Sequence, residues 1–497
     1  MSTVNSAVRR AALFLILPFL FIPYAKGEEA TVSTVPVTLQ KSYKKADEFN
    51  PLYTQRFGAD PGVMEYNGRL YVYMTDDIVE YDTDGKVKEN SYSQIRTINC
   101  ISSDDLVNWT DHGKILVAGA AGAAKWAQNS WAPCAAHKTI DGKEKFFLYF
   151  CNGGNGIGVL TSDSPTGPWR DELGSLLITR AVPNCADVTW LFDPAVMVDE
   201  DGTGYLAFGG GIPTGKQAAP GTARIVKLAD DMIHLDGDPI RLDVPWLFED
   251  SGINRVGDRY WYTYCSNFMT SGNTLRLTDG AIQYMVSDNP MGPYTYMGEL
   301  FPNEGRFFGM YGNNHHSIAC LNGEWYLFYH NRPVEKAMGI SGNYRSPQID
   351  QITFGEDGLP KQVKGTMRGI EQLKPLDPWQ TVMAATLSHQ AGITVKNASD
   401  GRSWIIGDAG SWIRISGVDF GSEAALLDIR AMAPTDCTVY AVLDDPERGP
   451  LAAQVRITLA EGAEATHFTA PIQAKGVHDL YLIADGPMKL YSWKVQK

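Results

Sequence analysis

The sequence predicts an all-β protein in which a five-bladed β-propeller is followed by a β-sandwich of the jelly-roll type. Two observations carry this prediction. Five segments of the chain share one pattern, and the 497 residues include 49 glycines, 27 prolines and 11% aromatic residues. Repeated four-stranded units need many tight turns and large side chains to pack between them, which this composition supplies.

Each repeated segment has a polar start, an apolar run, a two-residue turn and an aromatic-rich run. In the first segment, Ala59-Asp60-Pro61 leads to VMEY, then to Asn67-Gly68, and then to LYVYM. Asn-Gly and Asp-Gly turns between such runs predict β-hairpins. The segments begin near residues 60, 131, 193, 249 and 315. This spacing leaves room for about four strands of five to six residues in each unit, which a single sandwich would not explain.

The length and aromatic content of the apolar runs change after residue 379. From Gln380 to Lys497 the apolar runs are shorter and less aromatic, and they alternate as half-buried strands do. We therefore expect the propeller to span residues 28–377 and the β-sandwich to span residues 380–497.

Residues 1–27 have the features of a cleaved secretory signal peptide. Arg9 and Arg10 precede a short apolar stretch, and Ala25-Lys26-Gly27 puts small residues at the expected cleavage site. The apolar stretch is too short to span a bilayer. We therefore expect a secreted or periplasmic protein without a membrane span.

Charge and cysteine content exclude other classes. The formal net charge is −14, so the basic surface of a general nucleic-acid binder is absent. The seven cysteines are too sparse for a disulfide scaffold and have no CxxC spacing typical of zinc sites. We expect most of them to be buried free thiols, with one or two disulfides as the alternative, and we expect a monomer.

The repeats predict where chemically active side chains meet. The innermost strand of each blade begins near the central channel, so residues at one repeat position converge there. That position is occupied by Asp60, Trp131, Asp193, Glu249 and His315. The nearby aromatic residues either stack on sugar rings or pack between blades, and they are Trp126, Trp190, Phe192 and Phe248.

Convergent carboxyl groups point to glycoside hydrolysis. One carboxylate activates water, and a protonated carboxyl donates to the leaving oxygen. A third carboxylate can raise the pKa of the acid. The residue pattern by itself leaves these three roles unassigned.

Six segments resemble glycoside hydrolase family 43, in its branch of arabinoxylan arabinofuranohydrolases. They occur in order between about Asn50 and Trp379, and they are PLYTQRFGADPGVMEYNGRLYVYM, KWAQNSWAPC, WLFDPAVMVDEDGTGYL, WLFEDSGI, GNNHHSI and NYRSPQI. The resemblance implies a five-bladed propeller and an inverting α-L-arabinofuranosidase. It also implies that Asp60 is the general base, Asp193 the pKa modulator and Glu249 the general acid.

The same resemblance implies further site residues. His315 resembles a central histidine of the family that often lies near a water-coordinated calcium ion, and Arg345 resembles an arginine that reaches the channel. We therefore expect no cofactor for the chemistry and a structural calcium ion near His315. The expected substrate-binding residues are Trp126, Trp131, Phe192, His315 and Arg345.

The tail resembles a family 6 carbohydrate-binding module through GSWIRISGVDFG and GVHDLYLI. It departs from that module where acidic or amide groups are expected, because Met383-Ala384-Ala385, Lys489 and Tyr491 stand there. We therefore expect no calcium ion in this domain, and we expect Trp404 to be packed.

Three functions agree with these patterns. The leading interpretation is a hydrolase that removes arabinofuranosyl side chains from arabinoxylan. A β-xylosidase or an arabinanase would use the same three carboxyl groups. A non-catalytic glycan-binding propeller is the alternative from another class, and the complete trio disfavours it because a lectin needs no acid–base pair.

Overall fold

The computed structural model describes residues 35–422, 425–458 and 465–497, so the signal peptide predicted at 1–27 lies outside the described residues. Five β-sheets between residues 59 and 352 form the blades of a propeller. Most of the strands after residue 380 form a separate sheet. The predicted fold class, a five-bladed β-propeller followed by a β-sandwich, is confirmed.

The strands of the first three blades are numbered in chain order. Blade 1 contains β1 (Ala59–Tyr66), β2 (Arg69–Thr75), β3 (Thr97–Ser103) and β4 (Trp109–Leu116). Blade 2 contains β5 (Trp131–Ile140), β6 (Lys143–Cys151) and β7 (Ile157–Ser162). Blade 3 contains β8 (Ala195–Val198), β9 (Gly204–Phe208), β10 (Arg224–Lys227) and β11 (Ile240–Arg241).

The last two blades include two short helices. Blade 4 contains β12 (Leu247–Val256), β13 (Arg259–Ser266), β14 (Ile282–Ser287) and β15 (Thr295–Phe301). Helix α1 (Gly305–Phe308) follows, and blade 5 contains β16 (His316–Leu321), β17 (Glu324–Asn331), α2 (Pro333–Met338) and β18 (Ser346–Ile352). Within the described residues, neither helix is long enough to cross a membrane.

Consecutive strands within each blade pair antiparallel, and the predicted hairpins join the first strand to the second. At Asn67-Gly68 φ is 53° and 72°, and at Asn322-Gly323 it is 55° and 84°. Both residues of each pair thus have the left-handed backbone that a type I′ turn requires, which explains the Asn-Gly sequence.

Blades 2 and 5 have three paired strands rather than the four predicted. In blade 2 the fourth strand is reduced to two isolated bridges with β7, Ile157 with Ile178 and Thr161 with Arg170. In blade 5 the free edge of β18 is covered by the segment that precedes β1. The N–H of Leu52 donates to the carbonyl of Pro347 at 2.9 Å, so the start of the propeller closes the ring on its last blade.

The C-terminal domain is one nine-stranded sheet folded over itself. The described strands of this part of the chain are β19 (Val382–Met383), β20 (Thr386–Leu387), β21 (His389–Asn397), β22 (Ser403–Asp419), β23 (Ala425–Met432), β24 (Cys437–Leu443), β25 (Leu451–Ile457), β26 (Thr466–Ile472), β27 (Val477–Ala484) and β28 (Met488–Gln496). All of them except β20 belong to the nine-stranded sheet. The long strand β22 pairs with β28 near its start and with β27 near its end. It therefore passes from one layer of the sandwich to the other, over a core that includes Ile405, Leu427 and Trp493.

Propeller and sandwich are joined by paired backbone and by buried polar groups. Strand β20 does not belong to the sandwich sheet and instead pairs with β4, as a fifth strand of blade 1. The buried side chain of Asn108 donates to the carbonyl of Ser416 at 2.9 Å and accepts from its N–H at 2.8 Å. At the other end of the chain, Val35 packs against Trp412 in the sandwich. The first described residues, which we predicted to belong to the propeller, thus contact the C-terminal domain.

All seven cysteines lie among the described residues and are free thiols, five of them buried. The expectation of buried free thiols is confirmed for these five. Cys134 and Cys320 are partly exposed.

Candidate active site

A cavity of about 350 Å³ lies where the innermost strands of the blades begin. It is lined by eight of the predicted or neighbouring candidate residues, Asp60, Trp131, Phe192, Asp193, Phe248, Glu249, His315 and Arg345. The connection between β15 and β16 adds Glu304, Gly312 and Asn313, and the end of β17 adds His330 and Asn331. The structure thus brings the three carboxyl groups of the sequence analysis into one cavity.

Backbone N–H groups near the starts of the innermost strands form a ring of hydrogen bonds around this site. Each N–H donates to a side chain of the preceding blade, and the ring closes from blade 1 to blade 5. The pairs are Asp60 with His330 Nδ1 at 2.9 Å, Ala132 with Thr75 Oγ1 at 2.8 Å, Asp193 with Cys151 Sγ at 3.0 Å, Asp250 with Asp193 Oδ2 at 3.0 Å, and His316 with Asp250 Oδ2 at 3.1 Å. These bonds fix the carboxyl groups of neighbouring blades relative to one another.

Four members of this ring have a left-handed backbone. The angle φ is 51° at Asp60, 38° at Ala132, 49° at Asp193 and 69° at Asp250. Asp250 rather than Glu249 is therefore the blade 4 counterpart of Asp60, and Ala132 rather than Trp131 is that of blade 2. In blade 5 the member of the ring is His316 rather than His315. The predicted register is thus wrong by one residue in blades 2, 4 and 5. The irregularity between Glu249 and Gly252 has equivalents in β1 and β5, but β12 has a further extra residue between Leu247 and Glu249.

Asp60 is buried but is surrounded by groups that favour its ionised form. Arg345 Nη1 donates to Oδ1 at 2.7 Å, and Thr75 Oγ1 donates to Oδ2 at 2.6 Å. Burial raises the pKa of Asp60, but the positive charges of Arg345 and His315 outweigh burial and lower the pKa to about 2. This carboxyl is therefore ionised at neutral pH and can accept a proton.

Glu249 has the opposite environment. Its Oε1 is buried without a hydrogen-bond partner among the described residues. Burial raises the pKa of Glu249 well above its usual range, and the charge of Asp193 raises it further. The pKa of Asp193 is itself raised, first by burial and then by Asp60 and Asp250, although His315 opposes this. This raised pKa favours the protonated form of Glu249, which can donate a proton.

His315 lies among three carboxylates. Its Nδ1 is 3.7 Å from Asp60 Oδ1 and 3.8 Å from Asp193 Oδ2, and its Nε2 is 3.2 Å from Asp250 Oδ1. Burial lowers the pKa of His315, but these carboxylates, Asp250 first, raise it to about 9. Both ring nitrogens thus face carboxylates, and the imidazolium itself supplies the positive charge of the channel.

The calcium ion expected near His315 stays a prediction. Within the described ranges, no group of three or more His, Cys, Asp or Glu side chains is identified that could hold a metal directly. A space of about 50 Å³, lined largely by the starts of the inner strands, lies on the channel side of His315. No step of the chemistry is derived from a metal ion.

Arg345 is held in place by a residue that the sequence analysis missed. Asp77 accepts from Arg345 Nε at 2.9 Å and from Nη2 at 2.8 Å, and it is fully buried. The guanidinium also lies over the ring of Tyr92, 5.1 Å from the centroid. Because two bonds to Asp77 fix the plane of the guanidinium, the remaining Nη1 points to Asp60. Asp77 follows β2 in a stretch without a repeat signal, so no pattern identified it.

The aromatic candidates divide into two groups. Trp131, Phe192 and Phe248 line the cavity. Trp126 does not line it, because its ring stacks on Phe150 and its Nε1 donates to Asp171 at 2.6 Å. The prediction that Trp126 contacts the substrate is therefore wrong for this cavity, since Trp126 belongs to the packing of blade 2.

Comparison with known proteins assigns the fold and site to a family. The family model described as "Glycosyl hydrolases family 43" matches residues 49–360, which cover the five blades and the cavity residues. This chain belongs to glycosyl hydrolases family 43. It is thus a glycoside hydrolase.

Individual members of family 43 resemble almost the whole chain. An arabinoxylan arabinofuranohydrolase of Paenibacillus polymyxa is 46% identical, over 88% of this chain and 72% of that protein. Another from Bacillus subtilis (strain 168) is 40% identical over 96% of both chains. The crystal structure of a family 43 arabinoxylan arabinofuranohydrolase from Bacillus subtilis, in complex with cellotetraose, superimposes with a TM-score of 0.89. Its sequence is 38% identical, and the alignment covers 92% of this chain and 99% of that one.

The family 43 model ends before the C-terminal domain, and the resemblance of that domain to a carbohydrate-binding module stays a prediction. Ala384 and Ala385, which stand where acidic ligands were expected, are fully buried. Trp404 stacks on Tyr491 with ring centroids 5.7 Å apart. This contact agrees with the expectation that Trp404 is packed.

Proposed function

We propose that the chain is an inverting α-L-arabinofuranosidase that removes arabinofuranosyl side chains from arabinoxylan. The observation that carries the chemistry is the pair formed by an ionised Asp60 and a protonated Glu249 on one small cavity. The choice of substrate is supported by the arabinoxylan arabinofuranohydrolases that resemble nearly all of the chain.

In this mechanism Glu249 donates its proton to the glycosidic oxygen as the bond to the sugar breaks. Asp60 takes a proton from a water molecule, and that water attacks the opposite face of the sugar ring. The ionic partners of Asp60 keep it unprotonated before the reaction. Asp193 keeps Glu249 protonated, because its charge disfavours a second carboxylate close by. The sugar is released with inverted configuration, since one displacement occurs.

An open groove supports a polymeric substrate. It adjoins the cavity at Gly312, and Phe268 and Tyr311 line it with 36% and 65% of their surface exposed. Aromatic faces of this kind pack against sugar rings. We propose that the xylan main chain occupies this groove while one arabinofuranosyl branch enters the cavity. Contacts with the main chain would then contribute to the rate as well as to affinity.

The test is analysis of the sugars released from three substrates. Purified protein is incubated with wheat arabinoxylan, linear arabinan and unsubstituted xylo-oligosaccharides, and released sugars are separated by chromatography. We expect arabinose from arabinoxylan to appear faster than from arabinan, and little xylose. Xylose as the main product would establish a β-xylosidase, and faster release from arabinan an arabinanase. No release from any substrate, with retained glycan binding, would establish a non-catalytic propeller.

We also propose that the protein is exported. The support is the leader pattern of residues 1–27, with Arg9 and Arg10 before an apolar stretch. N-terminal sequencing of protein recovered outside the cytoplasm should begin at Glu28. A mature protein that retains Arg9 and Arg10 would contradict this proposal. Its mass by light scattering should be that of a monomer.

A further inference from the structure

One wall of the cavity includes Gly312 and Asn313, which lie in the segment 310–313 of the connection between β15 and β16. Four side chains hold the carbonyl groups of this segment. Asn331 Nδ2 donates to Met310 at 3.0 Å, Arg332 Nη2 to Tyr311 at 2.9 Å, Asn303 Nδ2 to Gly312 at 2.9 Å and His330 Nε2 to Asn313 at 3.1 Å. The wall is therefore firmly placed before any substrate arrives.

Glu304 also lines the cavity, and its carboxyl group lies beside Asn331. The residue is 2% exposed, lines the cavity, and directly precedes α1 without capping that helix by its side chain. Its Oε2 is buried without a hydrogen-bond partner in the described part of the chain, and the same holds for Oδ1 of Asn331. Unpaired buried polar atoms destabilise a fold, but a protonated Glu304 can donate to Asn331, so the oxygen left for a molecule in the cavity is Oε1, which faces Gly312.

Gly312 leaves the approach to this carboxyl open. A Cβ atom at Gly312 would meet only Oε1 of Glu304, at 3.8 Å, and no other atom within van der Waals contact. The backbone of Gly312 does not have a positive φ, so its conformation does not require glycine. The missing side chain instead gives a molecule in the cavity access to the carboxyl of Glu304.

The electrostatics of Glu304 suit a hydroxyl partner. Burial raises the pKa of Glu304 well above its usual range, and the charge of Glu249 adds to this, although Asn331 and Arg332 oppose it. A neutral carboxyl can donate one hydrogen bond and accept others, as a sugar hydroxyl does. The interaction with Glu249 also means that Glu304 lies near the group that protonates the leaving oxygen.

We propose that Glu304 is a sugar-recognition residue of the cavity: its carboxyl group hydrogen-bonds one hydroxyl of the glycosyl unit that is cleaved. The inference rests on the proposed function, since it assumes that the cavity holds the glycosyl unit. It assigns to Glu304 a role in the choice of sugar, because a site built to bind a hydroxyl discriminates against sugars that lack one at that position.

The test combines Glu304→Met with substrates from which single hydroxyls have been deleted. The kcat/KM of wild type and variant is measured on 4-nitrophenyl α-L-arabinofuranoside and on its 2-, 3- and 5-deoxy analogues. We expect Glu304→Met, which can neither donate nor accept through a carboxyl group, to lower kcat/KM on the parent glycoside about 10-fold or more, as for a lost buried hydrogen bond. On one deoxy analogue the wild type and the variant should differ by less than about 3-fold, because the bond is already absent.

A second variant tests the same contact in case the Glu304 variant does not fold. Gly312→Ala puts a methyl group 3.8 Å from Glu304 Oε1 without backbone strain, so it should weaken binding of the same hydroxyl. The matched control is Glu324→Met, at an exposed residue of the β16–β17 hairpin, which should leave all four rates unchanged. Equal losses on the parent and on every deoxy analogue, in both cavity variants, would overturn the inference.

Failure of the inference about Glu304 can be distinguished from failure of the proposed function. If the wild type cleaves an aryl β-xyloside instead of the arabinofuranoside, the proposed function fails. The same variants are then measured on deoxy xylosides, and coupling to one hydroxyl still supports the role of Glu304. If the wild type cleaves the arabinofuranoside and no hydroxyl couples to Glu304, only the inference about Glu304 fails.

Discussion

Arg345 Nη1 lies 2.7 Å from Asp60 Oδ1, and this ion pair links the last blade of the propeller to the first. Arg345 precedes β18, whereas Asp60 is the second residue of β1. The pair therefore exists only when the ring of blades is closed. The same contact lowers the pKa of Asp60, so closure of the propeller and activation of the base depend on one interaction.

Replacing Arg345 by Met should shift the acidic limb of the pH–rate profile. Asp60 acts as an ionised base, so activity is present above its pKa and is lost as the pH falls through it. The pKa is about 2 with Arg345 in place, and loss of the charge should raise it by roughly 1 to 3 pH units. Measurement of kcat/KM between pH 2 and 7 checks this. Arg368→Met, at an exposed position, should leave the limb where it is, and an unshifted limb in Arg345→Met would contradict the role.

The two catalytic carboxyl groups should respond differently to the leaving group. Asp60→Asn and Glu249→Gln should each lower turnover of arabinoxylan by about 10² to 10⁴. With a dinitrophenyl leaving group, which needs no protonation, Glu249→Gln should recover most of the rate, whereas Asp60→Asn should not. Steady-state kinetics on both substrates test the assignment. Recovery in Asp60→Asn instead would reverse the two roles.

The basic limb of the pH–rate profile should depend on Asp193. Glu249 must be protonated, so activity falls as the pH rises through its pKa, and Asp193 raises that pKa. Asp193→Asn should therefore move the basic limb to lower pH and reduce turnover at neutral pH. Asp258→Asn, exposed at the β12–β13 turn, is the control and should not move it. A wild-type profile in Asp193→Asn would show that its charge has no role.

Inversion should be visible in the first product. Proton NMR of a reaction on an aryl α-L-arabinofuranoside should show the β-anomer of arabinose before mutarotation mixes the two. The carboxyl groups of Asp60 and Glu249 should then be separated by about 6.5–9.5 Å, which leaves room for a water molecule. Initial appearance of the α-anomer would establish retention.

Separating the two domains should destabilise the propeller. A chain that ends near residue 377 loses β20, which pairs with β4, and leaves the buried Asn108 without Ser416. Asn108→Ala in the full chain removes the same contact, and it should lower the free energy of unfolding by roughly 1–3 kcal/mol. Thermal unfolding followed by circular dichroism measures both effects. A truncated chain as stable as the full one would contradict this view of the junction.

Much of the fold could be predicted because its signals are local. Asn67-Gly68 and Asn322-Gly323 form the predicted hairpins, since only a few residue pairs tolerate two consecutive left-handed backbones. Asp60, Asp193 and Glu249 were predicted to converge because each stands near the start of an inner strand. The repeat could not reveal that Glu249 lies one residue before its expected register, because the register of β12 depends on pairing with β13.

The sequence by itself determined the number of blades, the hairpins and the identity of the carboxyl groups, because turns and strand alternation are encoded over a few residues. Only the tertiary structure decided the environment of each group. Asp77, which aligns Arg345, and Glu304, which faces the cavity beside Gly312, come from connections outside the repeats. Their contacts join residues far apart in the chain, and pKa values depend on burial and on neighbouring charges, which exist only after the ring has closed.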